Sequence, residues 1–233
     1  MLIQIRNSRI ALIFLLSMTA GAVDTIGFLA LGGLFAAHIT GNIVILGAHF
    51  VTGKFSQTGP LLAVPVFMIV LGVMALIAGR MEKARIALLM PLLFLQWLLL
   101  TVSLILTITL GPFTDMNGFS AVSTGMLVVS AMAAQSATVK LAMNKAPSTV
   151  AMTNNVTQLA LDLARLAHQR QASVDEIRVA KDQARESSTA IFGFIIGCGL
   201  GAILQVRFDL MALLLPVCLS FVTLLLKYGS HRL

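Results

Sequence analysis

Charge is what this chain has least of: 11% of its 233 residues are Asp, Glu, Lys or Arg, against about 25% in an ordinary soluble domain. That scarcity, with 58% hydrophobic residues, excludes a large soluble domain and marks a membrane protein. Since a transmembrane helix takes about 20 mainly apolar residues, the length permits no more than about eight crossings. Cysteine is almost lacking. Cys198 and Cys218 lie in apolar runs without metal-ligand spacing, so they read as packing and say nothing about redox compartment. Enzyme signatures are missing as well: there is no Gly-rich phosphate loop and no Ser-centred elbow, and His38, His49, His168 and His231 form no metal spacing. No catalytic residue, metal or cofactor is therefore expected. The formal charge of +7 would suggest nucleic acid in a soluble protein, but basic residues also collect on the cytoplasmic side of membrane proteins. No nucleic-acid partner is expected.

Strong apolar runs at 10–30, 60–79, 86–110, 119–139, 188–206 and 209–226 are each long enough to cross a bilayer. Arg6, Arg9 and Ala20-Gly21-Ala22 imitate a signal peptide, but apolar sequence continues past Ala22, so the first run is read as a span. Two further segments are ambiguous. Residues 34–53 are broken by Thr40-Gly41-Asn42; residues 147–168 open with Pro147 and are interrupted by Thr153-Asn154-Asn155. The positive-inside rule discriminates between the arrangements. With both segments entering and leaving on one side and the N-terminus inside, 14 of the 16 Lys and Arg lie inside, Lys54 and Arg207 excepted; if both cross, the split is 10 to 6. The sequence thus predicts an all-α polytopic membrane protein of six transmembrane helices plus two re-entrant segments, with both termini cytoplasmic.

Three spans and one re-entrant segment make a half, and an odd number of crossings inverts the next half. Two inverted repeats are expected within a single membrane domain 1–233: repeat one at about 9–110, repeat two at about 119–228. Ile39-Thr40-Gly41-Asn42-Ile43-Val44 aligns with Met152-Thr153-Asn154-Asn155-Val156-Thr157. Gly72, Ala75 and Gly79 match Gly193, Gly197 and Gly201, and Pro91 matches Pro216. The polar, mixed-charge stretch 169–187 reads as a solvated cytoplasmic linker helix.

Asp24 lies mid-span with no basic residue near it in sequence, and intramembrane carboxylates normally face a bundle interior or a water-filled cavity. Two readings stand: a proton- or cation-coupling group, or a fastening for the first re-entrant segment. At the breaks, Gly41 permits an unusual backbone angle while Thr40 and Asn42 supply hydrogen-bonding groups. Exposed backbone at half-helix ends is also where transporters bind ions and anionic groups. His38 sits beside the first break, and Thr153, Asn154 and Asn155 form the second. Gln135 lies 18 residues before Thr153, much as Asp24 lies 16 before Thr40, giving a pseudo-symmetric site charged on one side. Asp162 and Arg165 read as a local surface pair, and Gln96 and Trp97 have no partner visible in the sequence.

Gly21-Ala22-Val23-Asp24, the glycines at 32 and 33, and His38-Ile39-Thr40-Gly41-Asn42 resemble the YoaK family of uncharacterised bacterial membrane proteins, over nearly the whole chain. Gln135 and Thr153 fall where that family's second-half motifs lie; Ala134-Gln135-Ser136 and Asn154 depart from its common Gly-Gln-Asn and Gly. The resemblance implies a multi-pass protein of the bacterial cytoplasmic (inner) membrane and implies no substrate. The expected function is a small secondary transporter or channel-like permease for a small solute or ion, not an enzyme. Its path would involve Asp24, His38, Thr40, Gly41, Asn42, Gln135, Thr153, Asn154 and Asn155, and its partners would be the lipid bilayer, the solute and, in a homo-oligomer, its own copies. The alternatives are a membrane scaffold or regulatory subunit and, third, a lipid-modifying enzyme.

Overall fold

The structure is a computed structural model and describes residues 2–53, 58–143, 145–168 and 173–229. Lys54, Arg170 and Arg232, used in the charge count, lie outside these residues, as does the start of the expected linker. Among the described residues eight α-helices follow one another: α1 Leu2–Ala30, α2 Ile39–Thr52, α3 Thr58–Lys83, α4 Leu89–Leu110, α5 Phe119–Ala137, α6 Met152–Ala167, α7 Val174–Phe208 and α8 Leu214–Gly229. A π-helical turn, Thr138–Ala142, extends α5, and a 3-10 turn, Asp209–Leu213, joins α7 to α8.

Among the described residues, five helical stretches are long and apolar enough to cross a membrane: Arg6–Ala30, Thr58–Lys83, Leu89–Leu110, Phe119–Ala142 and Val174–Gly229. The last has 56 residues, about 84 Å at 1.5 Å per residue, far more than the hydrocarbon core of about 30 Å. It holds the fifth and sixth expected spans, separated where Asp209 adopts a positive φ of 53°. The expected linker is not a separate helix. Val174 to Phe208 is continuous, started by a capping box in which the Ser173 hydroxyl accepts from the Glu176 N–H and the Glu176 carboxylate accepts from the Ser173 N–H. The breaks also lie earlier than expected. Thr40-Gly41-Asn42 and Thr153-Asn154-Asn155 form the uninterrupted first turns of α2 and α6, and the chain is irregular before them. Gly32 and Gly33, at φ 67° and 75°, end α1 and make the first irregular stretch; left-handed backbone of this kind favours glycine.

Lipid is as apolar as leucine, so helices in a bilayer associate through close packing rather than hydrophobic exclusion. The α1–α7 pair does this with glycine. A Cβ on Gly193 would stand 2.6 Å from the Phe14 carbonyl oxygen, one on Gly201 2.9 Å from that of Ala22, and one on Gly197 closer still to that of Met18. Because the contacts advance together along both helices, α1 and α7 run parallel. Gly72 and Gly79 differ: nothing stands within 4 Å of a Cβ at either. Their match to the α7 glycines is therefore a likeness of sequence without a likeness of packing.

The main helix pairs are α1 with α7 and α3 with α5; α1 with α8 and α4 with α5; α2 with α3 and α6 with α7; and α4 with α8. Exchanging each of the first four helices with the one four places later returns the same set. The core between them is filled by Ile13, Leu16, Ile26, Leu100, Val128, Met132 and Leu213, all essentially inaccessible. At one end Arg9 and Glu186 form a two-pronged ion pair, Nη2 to Oε2 at 3.0 Å. At the other, the Asn117 side chain accepts from the Thr58 N–H at 2.8 Å. Two further expectations change. Asp162 is fully buried, accepting from Gln158 at 2.9 and 3.0 Å and from Arg165 at 3.2 Å, because α6 lays that face against α7. Cys218 is exposed rather than packed.

Candidate functional site

The chain leading into α2 runs through the protein interior, where its backbone polar groups need partners. Asp24 supplies two. Its Oδ1 accepts from the Ala37 N–H at 2.6 Å and its Oδ2 from the His38 N–H at 2.9 Å, on a residue 4% exposed. Asn42 supplies the next pair, donating to the Phe35 carbonyl at 2.6 Å and accepting from the Phe35 N–H at 3.0 Å. A carboxylate suits the first task, being acceptor only; an amide suits the second, being donor and acceptor.

The chain leading into α6 is held in a related way. Asn155 donates to the Ser148 carbonyl at 2.6 Å, again seven residues back along the chain. Gln135 donates to the Leu16 carbonyl at 2.8 Å and to the Thr149 hydroxyl at 2.9 Å, and accepts from Gln96 at 2.8 Å. Gln96 thus has the partner its sequence context hides, and Trp97 packs between the rings of Phe94 and Phe221. Asp24 and Leu16 are eight residues apart on α1, so the two fastenings are separated by about 12 Å along that helix.

Beside the fastenings lies a cavity of about 410 Å³ onto which the starts of α2 and α6 face. His38 and Thr40 line it from the first start and Ser148, Thr153 and Asn154 from the second; α3 adds Phe67 and Leu71, α5 adds Ser136, and the π-helical turn after α5 adds Lys140. Neither α2 nor α6 has a side-chain cap or an acidic residue in its first turn, so the N–H groups there have no side-chain acceptor. The nine expected residues divide by role. His38, Thr40, Thr153 and Asn154 line the cavity. Asp24, Asn42, Gln135 and Asn155 turn away from it and hold the chain that shapes it. Gly41 lies against the Phe35 ring, where a Cβ would approach to 2.8 Å. Ser136 and Lys140 escaped the sequence reading, since they lie in α5 and in the π-helical turn that extends it, outside the broken segments; their one signal was position, one and five residues after Gln135.

A larger cavity, about 680 Å³, lies between the end of α6 and the start of α7, with Arg165, His168, Asp175 and Glu176 on its wall. The Ser173 backbone and hydroxyl hydrogen bonds hold the Glu176 carboxyl below the usual carboxylate range. Among the described residues no group of three or more His, Cys, Asp or Glu side chains is placed to hold a metal ion.

An all-helical chain with several lipid-length apolar helices is a polytopic membrane protein, in contact with the lipid bilayer. The chain belongs to DUF1275, a family described as proteins of unknown function, whose model matches residues 12–226. It is also similar to the UPF0700 transmembrane protein YoaK of Bacillus subtilis (strain 168), at 59% identity over 39 residues. That stretch spans 17% of each protein's length. No solved structure matches the chain.

Proposed function

We propose that the protein is a small permease that moves a solute or ion through the cavity between the starts of α2 and α6. The observation that carries this is the convergence of the starts of α2 and α6, both without side-chain caps, on one partly open cavity whose mainly apolar wall carries hydroxyl, amide and ammonium groups. Broken helices whose ends meet near the midplane are how many secondary transporters expose backbone groups to a substrate. Inverted repeats of α1–α4 and α5–α8 account for the exchange of helix pairs, for the seven-residue reach of both Asn42 and Asn155, and for the parallel run of α1 and α7. In this reading α2 and α6 are re-entrant from opposite faces of the bacterial inner membrane, both chain termini are cytoplasmic, and no catalysis is assigned. The tight glycine packing of α1 on α7 closes one side of the bundle, and the path runs along α3 and α5.

The coupling carboxylate expected at Asp24 fits less well, because both its oxygens are already engaged by the backbone. The reading makes it a fastening. The test is flux into proteoliposomes from a panel of inorganic salts, amino acids and sugars, comparing the unaltered protein with Thr153→Trp, which fills the cavity from an exposed position. Transport of at least one solute, lost in a folded Thr153→Trp protein, supports the proposal; transport that survives the block, or none with any solute, refutes it. The scaffold alternative draws on the charged end of α7, and there the block would leave partner binding intact.

A further inference from the structure

We infer that the cavity binds a small anion, held by the first-turn N–H groups of α6, the Ser136 hydroxyl and the Lys140 ammonium. This deepens the permease reading by naming the substrate class and rests on it for the anion's onward movement. The two half-helix starts are not electrically equivalent. At α2 the protein provides its own anion, the Asp24 carboxylate, on the N–H groups of Ala37 and His38 just before the first turn. At α6 the residue in the corresponding place is Gln135, which is neutral and already engaged with Leu16, Thr149 and Gln96. The start of a helix carries roughly half a positive charge on its unpaired N–H groups; at α6 a neutral group, the Ser148 hydroxyl, accepts from the Val150 and Ala151 N–H groups at 3.4 and 2.9 Å, and the first turn has no acidic residue. An anion in the cavity would meet the first-turn N–H groups beyond the two that Ser148 holds, and would give α6 the negative charge that Asp24 gives α2.

An independent observation points to the same occupant. Ser136 is 8% exposed, lines the cavity, and its Oγ has no hydrogen-bond partner. Buried hydroxyls are rarely left so. A hydroxyl, N–H groups and an ammonium have donation in common, and what they require is an acceptor. Lys140, four residues further along, is the one Asp, Glu, Lys or Arg among the lining residues. A cation would meet an ammonium and the positive start of α6 there, and no carboxylate is among the lining residues. Helix starts bind anions for these reasons.

The test uses the full-length protein, purified in neutral detergent and reconstituted in phosphatidylcholine vesicles, so that no lipid carries a net negative charge. Nitrate and acetate are titrated against gluconate at constant ionic strength, with sodium and then choline as counter-ion, and the unfolding temperature is followed. A saturable rise with nitrate or acetate, independent of the cation, is expected. Lys140→Gln and Ser136→Ala should each weaken it about tenfold or more in apparent Kd, as loss of one charge-assisted hydrogen bond requires. Ser136→Asp, which carries its own anion, should abolish it. If Lys140→Gln fails to fold, Ser136→Ala carries the comparison. A rise that follows sodium, no rise with either anion, or an unchanged Kd in folded variants overturns the inference. Anion binding without anion flux overturns the permease reading and leaves the site; flux of a cation or neutral solute, blocked by Thr153→Trp and indifferent to nitrate and acetate, leaves the permease and overturns the site.

Discussion

Replacing Asp24 by Asn removes one charge and almost no volume, yet the geometry makes it a costly change. Both carboxylate oxygens accept a backbone N–H, at 2.6 and 2.9 Å. An amide offers one oxygen, so its NH2 group must face either the Ala37 or the His38 N–H, donor against donor. One charge-assisted hydrogen bond is lost, worth about 1.5–3 kcal/mol, and one buried N–H goes unsatisfied. With about 2 kcal/mol as the lower expectation and a shift of about 2–4 °C per kcal/mol for a chain of this size, the unfolding temperature should fall by about 4–8 °C. Asp24→Ala leaves both N–H groups unpaired and should cost more, about 2–6 kcal/mol at 1–3 for each buried group. Thermal unfolding of the purified protein in detergent, followed by helical circular dichroism, reads both changes. An Asp24→Asn protein as stable as the unaltered one would refute the two-acceptor account and return Asp24 to the role of a free coupling group.

Gly197→Leu should sharply lower the yield of folded monomer in size-exclusion chromatography, because its Cβ alone collides with the Met18 backbone; a folded monomer that loses only a dimer would place that face at an oligomer interface. Gly72→Leu, with open space at the Cβ, should fold with nearly normal yield. Asn42→Leu should destabilise the protein by about 2–4 kcal/mol in chemical denaturation, since the buried N–H and C=O of Phe35 lose their partners; a change within error would mean that the loop is held by other contacts. Because the capping box lowers the Glu176 pKa from the ordinary 4.5, its stabilising effect is present above that pH and lost as pH falls through the lower folded value. Amide exchange in the first turn of α7 should therefore rise on acidification relative to mid-helix amides, and Ser173→Ala, which removes the hydroxyl but keeps the larger backbone N–H contribution, should weaken that pH dependence without abolishing it.

The apolar runs gave away most of the helices, because a lipid-length helix needs little beyond apolar composition. What they concealed is where helices stop. Nothing in the polar stretch after Ser173 interrupts helical propensity, so linker and fifth span fuse, whereas Thr40-Gly41-Asn42 resembles a break yet sits in a first turn whose irregular backbone comes earlier. Asp24 and Gln135 were legible as a pair from their spacing. Their work was not, since whether a buried polar side chain holds the backbone or faces a cavity depends on which way a loop folds. Ser136 shows the limit most plainly: in sequence it is one serine among many small residues, and only the packing leaves its hydroxyl unpaired. Gly72 and Gly193 carry the same local pattern, and their difference arises from what stands opposite.

The account depends most on the two half-helices entering from opposite faces, and thiol labelling from each side of the membrane tests that directly. In a protein whose Cys198 and Cys218 are replaced by Ala, single cysteines are placed at Asn7, Glu82 and Asn117. Asn7→Cys and Glu82→Cys should label from the same, cytoplasmic side, and Asn117→Cys from the opposite one. Labelling of Glu82→Cys from the side opposite Asn7→Cys would mean that α2 crosses the membrane, and would contradict both the inverted repeats and the cavity they enclose.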